Sequence, residues 1–354
     1  MKALILSGGA GTRLRPITHT SAKQLVPIAN KPVLFYAIEA VRDAGITDVG
    51  IIVGDTRDEV KTAVGDGSQW GIKTTYIEQD APRGLAHTVL IAEPFLKGDS
   101  FVMFLGDNLI KDGIASLVRE FEKDKPNAQI LLSRVREPER FGVAELKNGK
   151  IARLVEKPKK PASDLALVGV YMFDKNIFDA VKAIKPSWRN ELEITDAIQY
   201  MVDRGLKVTP HIIDGWWKDT GKREDILEAN RIMLEMLSPA QRGSADKTTT
   251  IEGNVIVEKG AVVENSRLIG PAIIGENTRI KDAIIGPNTS IYFDAVIENA
   301  QIENSVILEG TSIVGPKSKI VDSLIGKGVV IKTVDHRPDA YSFMVGDNSQ
   351  IDII

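Results

Sequence analysis

The chain has 354 residues, which exceeds the usual size of one domain, so two domains are expected. With 43% hydrophobic and 26% charged residues, the composition is that of a folded globular protein. A formal net charge of −3 provides no general basic surface for nucleic acid or an anionic membrane. No run approaches the ~20 apolar residues of a membrane span, and no secretory leader is evident, so a cytoplasmic protein is expected. The absence of cysteine excludes disulfides and thiolate metal sites, and any bound metal should be a hard cation with oxygen ligands.

The first two thirds of the chain alternate short apolar runs with helical patterns. Residues 3–6, 49–53 and 101–105 are continuous apolar strands, and segments with one apolar helical face lie between them. This order predicts parallel strands that are covered on both faces, and more alternating strands over 142–173 indicate an antiparallel addition. The pattern predicts a doubly wound α/β domain over residues 1–240.

The helical patterns end near residue 240, after a polar stretch at 238–247 that suits a linker. Beyond it, isoleucine, valine or leucine recurs in 14 steps over the 80 residues from 251 to 331, a mean step of about 5.7. This period fits a three-sided parallel β-helix whose aliphatic residues point inward, with four to five coils of about 18 residues. An ordinary β-sandwich with chance spacing is the less favoured alternative. The predicted β-helix domain, with a C-terminal tail, spans 248–354.

A glycine-rich turn follows the first strand and contains Gly8, Gly9, Gly11, Thr12 and Arg13. Glycines let backbone amides approach a ligand closely, and a run of inward amides forms an anion site. The turn is neither a P-loop, since no Gly-Lys-Ser/Thr follows, nor the dinucleotide fingerprint, since the third glycine is missing. The guanidinium of Arg13 is a planar donor suited to phosphate.

Cationic residues continue ten positions later with Lys23, which Gln24 follows in a Lys-Gln-Leu-Val-Pro segment, and with Lys31. An isolated lysine is most often a solvated surface residue. Arginine and lysine on both sides of a glycine nest, however, predict a polyphosphate ligand.

The segments 8–16 and 23–27 together resemble the signature of the sugar-1-phosphate nucleotidylyltransferases. Lys-Gln-Leu at 23–25 is similar to the glucose-1-phosphate thymidylyltransferases, and nearly the whole chain resembles their long form. The resemblance implies a Rossmann-like nucleotidyltransferase domain followed by a left-handed parallel β-helix of hexapeptide repeats. It also implies transfer of a thymidylyl group from dTTP to glucose-1-phosphate, which gives dTDP-glucose and pyrophosphate.

The implied nucleophile is a sugar-phosphate oxygen that is already an anion at neutral pH, so no general base is required. Two anionic substrates need cationic side chains and a divalent metal, and Mg²⁺ is expected. Asp107 follows an apolar strand and Asp219 lies between a strand and a helix, and both match family motif positions as metal ligands. Alone, either aspartate could be a helix N-cap. The predicted catalytic residues are Arg13, Lys23, Asp107, Lys157 and Asp219.

The resemblance also assigns the two ends of the substrate pair. Nucleotide contacts are implied for Gly8, Gly9, Gly11, Thr12, Arg13, Lys23, Gln24, Gln79 and Gly84, and sugar-phosphate contacts for Gly142, Glu156, Lys157 and Val168. A glutamine amide can both donate to and accept from the N3–H and O4 edge of thymine or uracil. His87 is interpreted as packing. Phe141 stands where the family often has tyrosine, which removes any contact through that hydroxyl.

Three alternatives stay open. The first is a UTP-using uridylyltransferase that makes UDP-glucose or a UDP-aminosugar, and some use of UTP is expected because one methyl group discriminates weakly. The second is a bifunctional enzyme with an acetyltransferase β-helix, which residues 250–333 disfavour because they contain no histidine. The third is a non-catalytic scaffold, although the predicted charged residues are all present. A homo-oligomer without nucleic-acid or membrane partners is expected.

Overall fold

A computed structural model describes residues 1–9, 11–316, 318–334 and 340–353. The chain divides into two compact units. The first comprises residues 1–9, 22–25 and 33–219, and the second comprises 11–21, 26–32 and the described residues from 220 onward. None of the helices among the described residues is long and apolar enough to cross a membrane.

The first unit is built around one mixed sheet. Up to residue 219 the strands are β1 (Lys2–Ser7), β2 (Pro27–Ile28), β3 (Lys31–Pro32), β4 (Asp48–Val53), β5 (Lys73–Glu78), β6 (Phe101–Leu105), β7 (Asn108–Ile110), β8 (Ala128–Arg134), β9 (Gly142–Lys147), β10 (Lys150–Glu156), β11 (Leu165–Phe173), β12 (Val208–Ile212) and β13 (Trp217–Asp219). The sheet order is β10-β9-β11-β6-β1-β4-β5, with β8 pairing β11 and β12. Strands β6, β1, β4 and β5 are parallel, and β11 and β9 join antiparallel, as the sequence predicts.

Helices cover both faces of this sheet. They are α1 (Val33–Asp43), α2 (Arg57–Val64), α3 (Leu85–Leu96), α4 (Ala115–Asp124), α5 (Ile177–Ala183) and α6 (Ile194–Asp203), and α7 (Arg223–Met236) follows in the second unit. Successive strand residues point to opposite faces, so Leu4 packs in the core under α3, α5 and α6, while Ile5 packs in the core under α1, α2 and α4. Both side chains are fully buried. This layered sheet confirms the doubly wound α/β prediction.

The second unit contains three parallel sheets that wind into a β-helix, which is consistent with the predicted left-handed form. Its strands are β14 (Ala240–Gln241), β15 (Ser244–Ala245), β16 (Thr250–Glu252), β17 (Val255–Val257), β18 (Val262–Glu264), β19 (Arg267–Ile269), β20 (Ala272–Ile274), β21 (Arg279–Lys281), β22 (Ile284–Ile285), β23 (Thr289–Ile291), β24 (Val296–Glu298), β25 (Gln301–Glu303), β26 (Val306–Ile307), β27 (Ser312–Val314), β28 (Ile320–Val321), β29 (Leu324–Ile325) and β30 (Val330–Lys332). Every third strand pairs in the same sheet.

The interior of the β-helix is filled by the aliphatic residues that define the repeat. Ile274, Ile280 and their counterparts in the other coils are buried in one continuous core. The sequence misplaces two positions: Leu268 rather than Ile269 points inward, and Ile251 is 39% exposed. The coil length also fits the prediction, since Arg267 pairs with Ile284, 17 residues later, and Ile307 pairs with Ile325, 18 residues later.

Short polar residues tighten the corners of the β-helix. Asn265, Asp282 and Asn299 occupy the same corner in three successive coils and have φ values between 43° and 51°. Asparagine and aspartate tolerate this left-handed conformation better than other residues that carry a β-carbon. The side-chain amide of Asn265 also donates a 2.6 Å hydrogen bond to Asp282, which joins neighbouring coils.

Residues 238–247, expected to be a linker, instead contribute β14 and β15, which pair with β17 and β18. The polar composition of the stretch reflects its position at the first coil, where few partners are available to bury it. At the other end, Tyr341, Phe343 and Met344 are exposed, so the apolar tail does not bury these side chains.

Helix α7 joins the β-helix to the turn between β2 and β3. The side chain of Asn230 is fully buried, and its Oδ1 accepts hydrogen bonds from the Ala29 amide (2.8 Å) and the Ser290 hydroxyl (2.6 Å). Its Nδ2 donates to the Asn288 carbonyl at 3.3 Å. In the same turn, Asn30 donates to the Ile291 carbonyl at 2.7 Å. The turn between β2 and β3 is therefore held by residues far along the chain.

Candidate active site

Three charged side chains converge at the carboxyl ends of the parallel strands in the first unit. Lys23 lies in a short 3₁₀ helix, Asp107 follows β6, and Asp219 ends β13. The Lys23 ammonium contacts the Asp107 carboxylate, and its Nζ lies 3.8 Å from Oδ1 of Asp219. Between 9% and 19% of each of these side chains is exposed. The structure thus brings together three of the five predicted catalytic residues.

A two-stranded ribbon brings the two aspartates together. Strands β7 and β13 pair antiparallel with Asn108 opposite Asp219, so Asp107 precedes one strand where the other strand ends. Asn108 is buried; its Nδ2 donates to Asp107 at 2.8 Å, and its Oδ1 accepts from the Trp217 indole at 2.5 Å. Trp217 therefore helps to position Asp107 through Asn108, a role that the sequence does not reveal.

The charge state of Asp107 fits a cation site. Burial raises the pKa of this carboxyl group, but the neighbouring Lys23 ammonium and the hydrogen bond from Asn108 outweigh burial, so its pKa lies below the ordinary value. No group of three or more histidine and acidic side chains that could hold a metal occurs within the described residues. The two carboxylates outweigh the single ammonium charge, and their oxygens are ligands that suit Mg²⁺, which completes its shell with phosphate oxygens and water. Asp107 and Asp219 fit such an ion.

The glycine-rich turn is divided between the units. Gly8 and Gly9 follow β1 in the first unit, whereas Gly11, Thr12 and Arg13 belong to the second. Gly11 has φ 60° and precedes a short 3₁₀ helix that contains Thr12 and Arg13. Its carbonyl accepts a 2.9 Å hydrogen bond from the Leu14 amide and a 2.7 Å bond from the Thr18 hydroxyl. These bonds fix the backbone around Arg13.

The predicted base-binding residues lie around the first part of this turn. The Oε1 atom of Gln79 is 3.5 Å from the position that a β-carbon on Gly8 would take, and Nε2 of Gln24 is equally close to that position on Gly9. Among the described residues, Oε1 of Gln24 is buried without a hydrogen-bond partner, as expected of a group that a ligand satisfies. Gln79 Nε2 lies 3.4 Å from the Gly84 carbonyl and 3.1 Å from Nδ1 of His87.

A second cluster surrounds Glu156 at the end of β10. The hydroxyl of Thr195 donates a 2.6 Å hydrogen bond to its Oε2. Its Oε1 lies 3.6 Å from an Arg189 guanidinium nitrogen and 3.9 Å from the Lys157 ammonium. Arg189 also pairs with Glu193, whose pKa is raised chiefly by burial. Two cationic groups beside a partly buried carboxylate suit a ligand that carries both phosphate and hydroxyl groups.

Gly142 and Lys157 belong to this cluster through the hairpin β9–β10. Gly142 pairs with Glu156, and a β-carbon on Gly142 would stand 2.9 Å from the Thr195 hydroxyl and 3.1 Å from the Glu156 carboxylate. Glycine is therefore required for this close approach. Lys157 has φ 42°, and its amide donates to the Phe141 carbonyl at 3.0 Å.

Val168 differs from the other predicted sugar-side residues. Its side chain is fully buried and belongs to the core under α1, α2 and α4. The register of β11 against β8 shifts between Leu167 and Tyr171, so the backbone beside Val168 is irregular. A contact between Val168 and a sugar would have to use backbone atoms.

Arg189, Thr195, Asn108 and His87 contact the predicted site residues, yet sequence reasoning assigned no site role to any of them. Residues 191–196 lead into helix α6, and Leu192 exchanges backbone hydrogen bonds of 2.8 and 3.0 Å with Arg83 and Ala86. It thus ties the base-side segment to the same helix start that supports Glu156.

Several known proteins are similar to most of this chain. A family model described as nucleotidyl transferase matches residues 2–236. The chain is 53% identical over 354 residues to a glucose-1-phosphate thymidylyltransferase of Streptomyces griseus, covering 100% of this chain and 99% of the relative. It is 46% identical over 356 residues to a low-salt glycan biosynthesis nucleotidyltransferase of Haloferax volcanii, covering 99% of each. A Bacillus anthracis crystal structure provisionally described as a glucose-1-phosphate thymidylyltransferase is similar with a TM-score of 0.62 and 40% identity, covering 66% of this chain and 94% of that one.

Proposed function

Because the chain belongs to the nucleotidyl transferase family, we propose that it transfers a thymidylyl group from dTTP to glucose-1-phosphate. A sugar-phosphate oxygen attacks the α-phosphorus of dTTP, the bond from that phosphorus to the β-phosphate oxygen breaks, and pyrophosphate leaves. The products are dTDP-glucose and pyrophosphate. The names of the full-length relatives support this choice of substrates.

The observation that carries the proposal is the convergence of Lys23, Asp107 and Asp219. Attack on a triphosphate by an anionic oxygen needs no proton acceptor on the protein, but it needs positive charge where negative charge accumulates. Enzymes of this family generally use a divalent metal, and we assign Mg²⁺ to Asp107 and Asp219. When bound, the ion would neutralise phosphate charge. Lys23 supplies a fixed ammonium beside it, and we assign Arg13 to the phosphates as well.

The two remaining clusters support binding at the two ends of the reacting pair. We assign Gln79, Gln24, Gly84 and the turn at Gly8 and Gly9 to the nucleotide. We assign Gly142, Glu156, Lys157 and the backbone at Val168 to glucose-1-phosphate. A carboxylate that accepts from sugar hydroxyls and a nearby ammonium for the phosphate match the chemistry of this substrate.

The test is a specificity panel on the purified protein. Each of four pyrimidine and purine nucleoside triphosphates, with dTTP and UTP among them, is combined with glucose-1-phosphate, and pyrophosphate release and the nucleotide sugar are measured. We expect dTTP to be preferred, UTP to be used more slowly, and EDTA to abolish turnover until Mg²⁺ is restored. UTP outperforming dTTP at saturating sugar phosphate would instead establish the uridylyltransferase alternative.

The β-helix is assigned to assembly rather than to a second activity. Residues 250–333 contain no histidine that could serve as the general base of an acetyltransferase. Turnover of acetyl-CoA with an amino-sugar phosphate would contradict this assignment. We expect a cytoplasmic homo-oligomer. Light scattering on the purified protein measures the oligomeric state.

A further inference from the structure

The side-chain amide nitrogen of Gln79 is held from two directions. Nε2 lies 3.1 Å from Nδ1 of His87 and 3.4 Å from the Gly84 carbonyl oxygen. The other end of the same amide, Oε1, faces the glycine turn, 3.5 Å from the position of a β-carbon on Gly8. Gln79 thus has a held end and an end that faces the proposed nucleotide site.

The chemistry of the Gly84 carbonyl decides which amide atom is held. A carbonyl oxygen only accepts hydrogen bonds, so the atom that faces it must be the amide nitrogen. Gly84 itself packs closely on the Leu192 backbone, since its φ is 98° and a β-carbon there would stand 2.4 Å from the Leu192 carbonyl oxygen. The same amide nitrogen makes the shorter contact to His87, so the orientation that Gly84 requires holds for both contacts.

His87 must then be the acceptor in its contact with Gln79. With both protons of the Gln79 amide directed to Gly84 and His87, Nδ1 of the imidazole carries no proton, and Nε2 carries it instead. Burial lowers the pKa of His87 and Arg83 lowers it further, while Asp80 opposes this effect, so the ring is neutral near pH 7. Arg83 and Asp80 pair with each other at 2.6 Å.

We infer that His87 is a specificity-positioning residue that makes Gln79 present only a hydrogen-bond acceptor to the nucleobase. The inference rests on the proposed function. An acceptor at this place pairs with the N3–H of thymine or uracil. Cytosine carries a lone pair at N3 instead, so two acceptors would face each other and a buried hydrogen bond would be lost. The arrangement therefore selects against cytosine and does not distinguish thymine from uracil.

The variant His87→Leu tests the inference, because leucine cannot accept from the Gln79 amide. The amide can then rotate and offer Nε2 to cytosine. We expect KM for dTTP to rise several-fold with kcat nearly unchanged, and the ratio of kcat/KM for dTTP over dCTP to fall about tenfold, the usual effect of one hydrogen bond. The ratio for dTTP over UTP should not change. His87→Gln, which restores an acceptor, should return the dTTP-over-dCTP ratio towards that of the unmodified protein.

The controls separate this inference from a structural role and from the proposed function. His211→Ala, at a half-exposed histidine on β12 that contacts Glu120, should leave both ratios, dTTP over dCTP and dTTP over UTP, unchanged. If His87→Leu lowers the rates with dTTP, UTP and dCTP equally, His87 is merely structural and the inference is wrong. If the unmodified protein does not prefer dTTP or UTP, the proposed function fails instead.

A measurement on the unmodified protein covers the case in which His87→Leu does not fold. Long-range ¹H–¹⁵N spectra of protein labelled in histidine report which ring nitrogen carries the proton, and the spectrum of His87→Gln identifies the signal. We expect His87 to be protonated at Nε2 alone at pH 7. Protonation at Nδ1 would overturn the inference, because that nitrogen could not then accept from Gln79.

Discussion

Lys23 places one positive charge between two carboxylates that lie far apart in the chain, those of Asp107 and Asp219. Because burying an ion pair requires desolvation of both charges, such a pair contributes little net stability. The role of this pair is positional, since the ammonium holds both acidic groups at the carboxyl ends of the parallel strands. In the proposed reaction, the same three groups form the centre that neutralises the negative charge of the phosphates.

Asp107→Asn and Asp219→Asn test this centre separately. Each change removes a negative charge that the proposed Mg²⁺ site needs, so turnover should fall about 100-fold or more, as for loss of one preorganised electrostatic contact. Thermal denaturation followed by circular dichroism should show that each variant folds, because Lys23 keeps the other aspartate as a partner. Rates equal to those of the unmodified protein in both variants would refute the two-aspartate assignment.

Thr195→Val tests the sugar side. The substitution nearly preserves volume but removes the hydroxyl that donates to Glu156, so the carboxylate loses its orientation. We expect KM for glucose-1-phosphate to rise about fivefold, the effect of roughly 1 kcal/mol, while KM for dTTP stays constant. Thr209→Val on β12, outside the cluster, is the matched control. An equal rise in both KM values would show that the change acts on the whole domain.

Helix α7 is the element on which the second unit depends, because Asn230 connects it to the turn at Ala29 and to the β-helix at Asn288 and Ser290. Buried polar networks of this kind specify one arrangement when every member is satisfied. Leu234 packs from the same helix on Ile256 and Ile273 of the β-helix, which adds an apolar contact to the polar one. The helix therefore fixes the β2–β3 turn against the coils.

Asn230→Leu should destabilise the protein by about 2–5 kcal/mol, because the Ala29 amide and the Ser290 hydroxyl lose their buried acceptor. Urea denaturation measures the change. The control is Gln301→Leu, at an exposed amide on β25, which should change the free energy of unfolding by no more than ~0.5 kcal/mol. Similar effects of the two substitutions would mean that the Asn230 network contributes no more than a surface residue.

Across the whole molecule, the chain passes repeatedly between its two units. Residues 11–21 and 26–32, early in the sequence, group with the late residues rather than with their neighbours in the chain. A cut near residue 240 therefore does not separate the units cleanly. The segment that contains Arg13 and the β2–β3 turn would lose the partners that lie beyond the cut.

A fragment of residues 1–238 tests this dependence. It retains Asn30 and Asn230 but lacks Asn288, Ser290 and Ile291, their partners in the β-helix. We expect a lower thermal midpoint than that of the full chain and a fall in kcat/KM for dTTP of roughly tenfold or more, since small displacements of positioning groups are costly. A fragment that matches the full chain in both measurements would show that the coils are dispensable.

The sequence predicts the features that depend on local pattern. The period of about six residues identifies the β-helix because about one residue in every six is a buried aliphatic residue, in coil after coil. The sequence does not predict that Leu268 rather than Ile269 points inward, since both residues are apolar and only the corner geometry decides between them. Pairings between distant elements cannot be predicted from local pattern either. The residues around Asp107 and Asp219 do not indicate that β7 and β13 pair, and those around His87 do not indicate its contact with Gln79.

The hydrogen bond from Asn30 to Ile291 spans 261 residues, and that from Ala29 to Asn230 spans 201. During synthesis the ribosome releases the β2–β3 turn long before it makes the residues that hold it. Contacts of such high sequence separation form slowly, and the segments that await them stay exposed in the meantime. The β2–β3 turn is thus among the last segments to acquire its native contacts, which a nascent chain can complete only after residues 288–291, at the start of the fourth coil, have been made.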